Sequence, residues 1–224
     1  MENLLRIALP RHYGISRNFI AALKETSSKE YFDLSDKADT MIVNYTEGLA
    51  SSYRNQNHND ISVLNFEKFI NQFDDIAFGR GRKRCDFILF KEHACADNIF
   101  ILNELTSSVS LESLSKPICD EVGNVIFSDG KFQKAEIQLA VSLQTLLDVP
   151  EIKDYADTCA KKVCLLSYRI DNGNDPSGSQ KAFNRYKAIE SKATGSEGAL
   201  LHQAVIDSLG FEYRRISYEY SYAI

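Results

Sequence analysis

Residues 85–106, CDFILFKEHACADNIFILNELT, constrain this chain more than any other stretch. Residues 85–91 and 98–105 are two strand-length runs rich in Phe, Ile and Leu, separated by the polar HACAD, and this spacing predicts an antiparallel hairpin. Each run carries one acid in an apolar setting, Asp86 in the first and Glu104 in the second. A carboxylate beside an apolar strand needs a partner, because burying an unpaired charge is costly. Two such acids on paired strands therefore point to a shared site more than to packing.

Residues 131–147, KFQKAEIQLAVSLQTLL, carry apolar side chains at Phe132, Ala135, Ile137, Leu139, Val141, Leu143 and Leu146. The pattern is that of a helix with apolar positions on both faces, expected to be largely buried and ended by Pro150. Lys134 and Gln138 stand one turn apart on it. Residues 162–170, KVCLLSYRI, form a nearly continuous apolar run, the signature of a central strand reached by a helical crossover. Residues 125–127 read as a further short strand between Gly-Asn and Asp-Gly turns.

Residues 1–60 read as mainly helical, with Ser16 capping a helix through Asn18 to Leu23 and a second helix from about Asp36 to Tyr53. A helix is also expected from Val63 to Phe73, where Leu64, Phe66, Phe69, Ile70 and Phe73 recur at three- and four-residue spacing. Glu67 lies at the edge of that stripe. After a loop at 171–180, helical segments are expected at about 181–193 and 197–209, with Gly210 as the C-cap. In the final FEYRRISYEYSY, Phe211, Tyr213, Arg215 and Ser217 share one strand face, and Tyr218, Tyr220 and Tyr222 alternate in the opposite phase. These elements make one α/β domain over residues 1–224: a core at about 63–170, a helical segment at 1–60 and a helix-helix-strand extension at 171–224.

At 224 residues the chain is long enough to bury a sizeable core. Its net charge of −5 provides no global basic field for nucleic acid. The exception is local: Arg80, Arg82, Lys83 and Arg84 fall within six residues, just before the first acidic strand. This run is either a solvated loop or a phosphate-contacting one. No stretch of about 18 apolar residues is present to span a bilayer, and no secretory signal opens the chain, so cytoplasmic residence is expected. The five cysteines are scattered, with no CxxC pair and no histidine at zinc-ligand spacing, and are expected to be reduced and to serve packing.

The order helix, strand with Asp86, strand with Glu104, short strand, helix with Lys134 and Gln138, strand resembles the core of the PD-(D/E)xK, or restriction-endonuclease-like, nuclease superfamily over roughly residues 63–170. The resemblance implies a mixed sheet flanked by helices. It also implies that Asp86 and Glu104 bind Mg²⁺ or Mn²⁺, hard cations suited to carboxylates, which lower the pKa of an attacking water. Glu67 is similar to the extra acid that some members add to the metal site; a solvated helix glutamate is the other reading. Family members carry a lysine two residues past the second acid, where this chain has Thr106. In some members that lysine has moved to the following helix, and Lys134 with Gln138 resembles that arrangement; Lys91 and Lys131 are weaker substitutes.

The implied function is a metal-dependent nuclease, with Lys134 at the phosphate, Gln138 positioning water or a ligand, and Arg80 to Arg84 on the nucleic-acid backbone, DNA ahead of RNA. Thr106 keeps a second reading open: a nuclease-like domain without catalysis, binding protein or nucleic acid within a bacterial defence or DNA-processing assembly. There the tyrosine-rich C-terminal strand would contact a partner or a second copy. A plain scaffold, in which Asp86 pairs with Arg84 or Lys91, is the third. His12, His58, His93 and His202 are isolated in sequence, and GRGRKR lacks the spacing of a phosphate-binding loop.

Overall fold

In this computed structural model, the residues described are 1–15, 23–36, 40–46, 50–73, 84–91, 97–108, 110–170, 178–190 and 195–224. Among them a mixed seven-stranded sheet is built from β1 (Lys24–Ser27), β5 (Ile61–Asn65), β6 (Phe87–Lys91), β7 (Ile99–Ser108), β10 (Lys161–Ile170), β12 (Glu212–Ser217) and β11 (Ala199–Leu201), in that spatial order. The 85–106 stretch forms the expected antiparallel pair, with Phe87 opposite Asn103 and Phe90 opposite Phe100. β7 and β10 run parallel in register from Ile99–Lys161 to Ser108–Ile170. A parallel pair needs a long crossover, supplied here by α4 (Gly130–Leu147) and α5 (Pro150–Asp157).

The central strands are apolar on both faces because both faces are covered. Leu64, Ile88, Phe90, Phe100, Leu102, Cys164, Leu166 and Tyr168 pack with Phe132, Ala135, Leu139, Leu143 and Leu146 of α4 and with Phe66 and Phe69 of α2 (Phe66–Ile70). The residues in alternate phase, Val63, Phe87, Leu89, Ile101, Val163 and Leu165, pack against Phe32, Leu34, Tyr53 and Tyr222. Those last four belong to a second sheet, ordered β13 (Ser221–Ala223), β4 (Ser51–Arg54), β2 (Tyr31–Leu34) and β3 (Ile42–Val43). A polar stitch crosses this layer: Asn103 Nδ2 donates to Ser167 Oγ at 3.0 Å, which lies 2.8 Å from Ser51 Oγ. The mixed α/β class thus stands, with a sheet as one of its two covering layers.

Several expectations fall. In residues 1–60 the helical elements among the described residues are Leu4–Ala8, a π-helical turn, and α1 (Leu9–His12); β1 to β4 also fall here, and the described part of the stretch from Asp36 to Tyr53, where a helix is expected, contains β3 and most of β4 instead. The helix expected after Ser16 lies mostly outside the described residues. The Val63–Phe73 stripe divides, because Ile61 and Val63 alternate with Ser62 and pair with β1 and β6. Helix begins at Phe66, where Asn65 Oδ1 accepts the Lys68 N–H at 2.8 Å as an N-cap. Pro150 starts α5 at a position where its missing N–H costs nothing, and α4 buries one broad face instead of both. Residues 197–209 split into β11 and α7 (Ala204–Ser208). Of the C-terminal tyrosines, Tyr213 lies in β12 of the main sheet and Tyr222 in β13 of the second, with Tyr218 and Tyr220 in the turn between; Tyr213, Tyr218 and Tyr222 are buried, so this stretch fills core and offers no tyrosine-rich surface. The main sheet also reaches well beyond residues 63–170. No helix among the described residues is long and apolar enough to cross a membrane.

Small elements close the connection from β7 to α4: α3 (Leu111–Ser115), β8 (Ile118–Cys119) and β9 (Val125–Phe127). Gly130, at the start of α4, has φ +53°, and a Cβ there would collide with the carbonyl oxygens of Lys116 and, at 2.7 Å, Leu114. Gly178 has open space around it. Urea unfolding is expected to show Gly130→Ala destabilised by about 2 kcal/mol or more, and Gly178→Ala changed by less than about 1 kcal/mol.

Candidate active site

Three backbone ties fix the residue that precedes β6. The Arg84 carbonyl accepts from Gln138 Nε2 at 2.9 Å, the Cys85 N–H donates to Ser142 Oγ at 2.8 Å, and the Asp86 carbonyl accepts from the Phe66 N–H at 2.8 Å. Two of the ties come from α4 and one from the first residue of α2. The helical layer therefore sets where Asp86 stands. Ser142 Oγ also donates to the Gln138 carbonyl at 2.7 Å, joining the two α4 ties into one unit.

The β6–β7 register, continued one residue past Phe87 and Asn103, brings Asp86 opposite Glu104. The Leu105 N–H donates to Asp86 Oδ2 at 2.7 Å, holding this carboxylate against β7 beside Glu104. Glu104 is 6% exposed. Its Oε1 accepts from Gln138 Nε2 at 2.8 Å, while its Oε2, buried, accepts no hydrogen bond among the described residues. Gln138 thus bridges one acid to the segment that carries the other.

Burial, opposed by the Leu105 N–H and reinforced by the charges of Glu67 and Asp36, pushes Asp86 up to about 7. Burial also holds Glu104 well above the usual carboxylate range, helped by Asp86 and Glu67, with Lys134 pulling the other way. These are the electrostatics of an anionic pair short of positive charge. Glu67, exposed in the first turn of α2, is near enough to act on both acids. Lys134, also exposed, acts on Glu104 through charge without a direct ion pair among the described residues.

Glu104, Thr106, Lys131, Lys134 and Gln138 line a pocket of about 300 Å³. A smaller one, about 90 Å³, is lined by Asp36, Arg169 and Tyr218, and both share Leu105, Thr106 and Ser107. A larger cavity of about 560 Å³ beside Tyr13, Asp148 and Phe211 contains none of the candidate catalytic or metal-binding residues.

Other assignments separate. Lys91 lies at the far end of β6, buried and paired with Asp97 at 2.5 Å. Lys131 donates to the Ser107 carbonyl at 2.7 Å. Arg84 is buried, which removes its guanidinium from a surface contact with nucleic acid; Arg80, Arg82 and Lys83 lie outside the described residues. Ser142 and the Leu105 N–H are positioning groups that sequence reasoning missed. Ser142 had a legible signal, a small hydroxyl one turn after Gln138 in an apolar helix. The Leu105 N–H is a main-chain donor and leaves no trace in residue type.

Among the described residues no group of three or more His, Cys, Asp or Glu side chains gathers as a metal cage. The donors on offer are two carboxylates, one with a buried oxygen lacking a partner. This hard-oxygen set fits Mg²⁺ or Mn²⁺, which keep several waters and need few protein ligands. No family model, no curated protein and no solved structure matches this chain.

An acid whose proton affinity rises on folding makes the folded state bind more protons, so its contribution to stability falls as pH climbs from about 4 through about 7. Asp86→Asn keeps an oxygen for the Leu105 N–H and removes that slope. In metal-free buffer its melting temperature is expected to exceed the wild type's at pH 8, by ~2–4 °C per kcal/mol relieved, with the gap closing near pH 4. Thermal melts followed by circular dichroism check this; a gap independent of pH would contradict it.

Proposed function

We propose that this protein is a metal-dependent phosphodiesterase acting on nucleic acid, a divergent nuclease of the PD-(D/E)xK type with its lysine displaced to α4. One observation carries the reading: Glu104, opposite Asp86, keeps a buried oxygen without a hydrogen bond while Gln138 holds the other. A stable fold gains nothing from such an atom. A cation-binding site does.

Each residue has a part. Asp86, fixed through Oδ2 by the Leu105 N–H, and Glu104, fixed through Oε1 by Gln138, would hold Mg²⁺ or Mn²⁺. Bound there, the cation would lower the pKa of the attacking water and offset charge on the phosphate. Glu67 adds negative charge at the rim. Lys134, in the same pocket as Glu104, brings a mobile cation toward a phosphate. Thr106 supplies a hydroxyl at the usual lysine position and no charge.

A second reading rests on Thr106 and on the exposed position of Lys134: a nuclease-like domain that binds nucleic acid or a protein partner without cleaving. Single- and double-stranded DNA and RNA incubated with the wild type in Mg²⁺ or Mn²⁺ are expected to be cut, DNA ahead of RNA. Asp86→Ala and Glu104→Ala should each abolish cleavage, and Lys134→Ala should reduce it about 100-fold or more. Binding without cleavage would favour the second reading; cleavage that survives both acid substitutions would contradict the first.

A further inference from the structure

β7, β10 and β12 run parallel, the last reached through α6 (Gly178–Glu190) and α7, so their carboxyl ends share one edge of the main sheet. Asp86, just before antiparallel β6, stands at that edge too. Open α/β sheets bind ligands beyond the carboxyl ends of such strands. The pocket of about 300 Å³ against α4 is accounted for by the carboxylate pair; the one of about 90 Å³ is not. It lies on the face turned to the second sheet, because Leu105 packs with that sheet's core, Ser107 follows in the same strand phase and Arg169 stands beside Ser107 in register. Asp36, just past β2, closes it from the second sheet. Tyr218, whose N–H donates to the Tyr168 carbonyl at 3.0 Å, closes it from the end of β12.

The lining selects its occupant. Asp36 is exposed and makes no hydrogen bond or ion pair among the described residues, so its carboxylate can accept a hydrogen bond from a ligand. Thr106 and Ser107 add hydroxyls, which donate or accept. A phosphodiester is a poor fit: it brings no proton to Asp36 and meets a charge that already acts on Asp86. A cation is a poor fit as well, since the Arg169 guanidinium shares the lining. A neutral hydroxyl group suits both kinds of partner. The volume leaves room for roughly three waters at about 30 Å³ each, enough for the hydroxyl edge of a sugar but not for a whole nucleoside. Leu105, Thr106 and Ser107 line both pockets, so a sugar seated here adjoins a phosphate held near Glu104 and Lys134.

We propose that the small pocket holds a pentose hydroxyl next to the scissile phosphate, donating to Asp36. Two sources carry this chemistry: the 2′-hydroxyl of RNA, and the free 3′-hydroxyl that ends a strand. The inference rests on the nuclease reading for its ligand and deepens it, making Asp36 the residue that sets which strands are accepted.

The test compares the affinities of three short labelled single strands of one sequence by fluorescence anisotropy, in Ca²⁺ so that the carboxylates carry a hard cation. They are DNA ending in a 3′-hydroxyl, the same DNA ending in a dideoxynucleotide, and RNA with that dideoxy end. Removing Asp36 also relieves its general repulsion of a polyanion, so the readout is the ratio of affinities between strands, in which that effect cancels. One hydroxyl-bearing strand is expected to bind about tenfold or more tighter than the dideoxy DNA. Asp36→Ala should abolish the difference with an unchanged thermal melt, and Asp36→Asn, which keeps an acceptor oxygen, should preserve part of it. A preference for the 3′-hydroxyl identifies strand ends as the substrate; a preference for RNA identifies the 2′-hydroxyl. Equal binding of all three strands by the wild type, or a preference untouched by Asp36→Ala, overturns the proposal. Cleavage by a wild type that shows no preference would sink the hydroxyl pocket and spare the nuclease. A preference lost in Asp36→Ala, in a protein that never cleaves, would do the reverse, and no binding of any strand would overturn both.

Discussion

The pairing of β6 with β7 is the constraint on which the candidate site depends. That register puts Asp86 opposite Glu104 at the end of an apolar strand pair, where water is scarce and the two charges repel. An isolated acid in such a place would be neutralised or paired away. Here one oxygen of each acid is held by a directed donor, the Leu105 N–H for Asp86 and Gln138 for Glu104. The hydrogen bonds orient the two carboxyl groups, and burial leaves their proton affinity raised.

The layers around the sheet divide the labour. α4 and α2 tie down residues 84–86 and supply Gln138, Lys134 and Glu67. The second sheet buries the opposite face, and the Ser51–Ser167–Asn103 stitch fixes β7 and β10 against it. β7 is thus gripped from both sides, so Glu104 and Thr106 project from a rigid strand. Rigid support is what a site needs if its geometry is to be set before a ligand arrives.

What could be read from the sequence follows from element length. β6, β7, β10 and α4 are long or strongly patterned, and with them came Asp86, Glu104, Gln138 and Lys134, the acids and Gln138 meeting as their spacing suggested. β1 to β4 are two to four residues long, too short to display a period, and β4 pairs with β13 from the other end of the chain, Tyr53 with Tyr222. Nothing local announces such a strand. The stripe from Phe66 to Phe73 is real, but Ile61 and Val63 belong to a different period, and the boundary at Asn65 is set by its cap. The tyrosines near the C-terminus look like a surface when read alone, but Tyr213 packs into the core on the helical side of the main sheet and Tyr222 into the core between the two sheets.

The central claim is that Asp86 and Glu104 together form a cation site, and titration calorimetry of Mn²⁺ into the protein tests it most directly. The account predicts one site, tighter at pH 8 than at pH 6 because protons must leave Asp86 and Glu104, and lost in Glu104→Gln. No binding at either pH, or equal binding by Glu104→Gln, would contradict it.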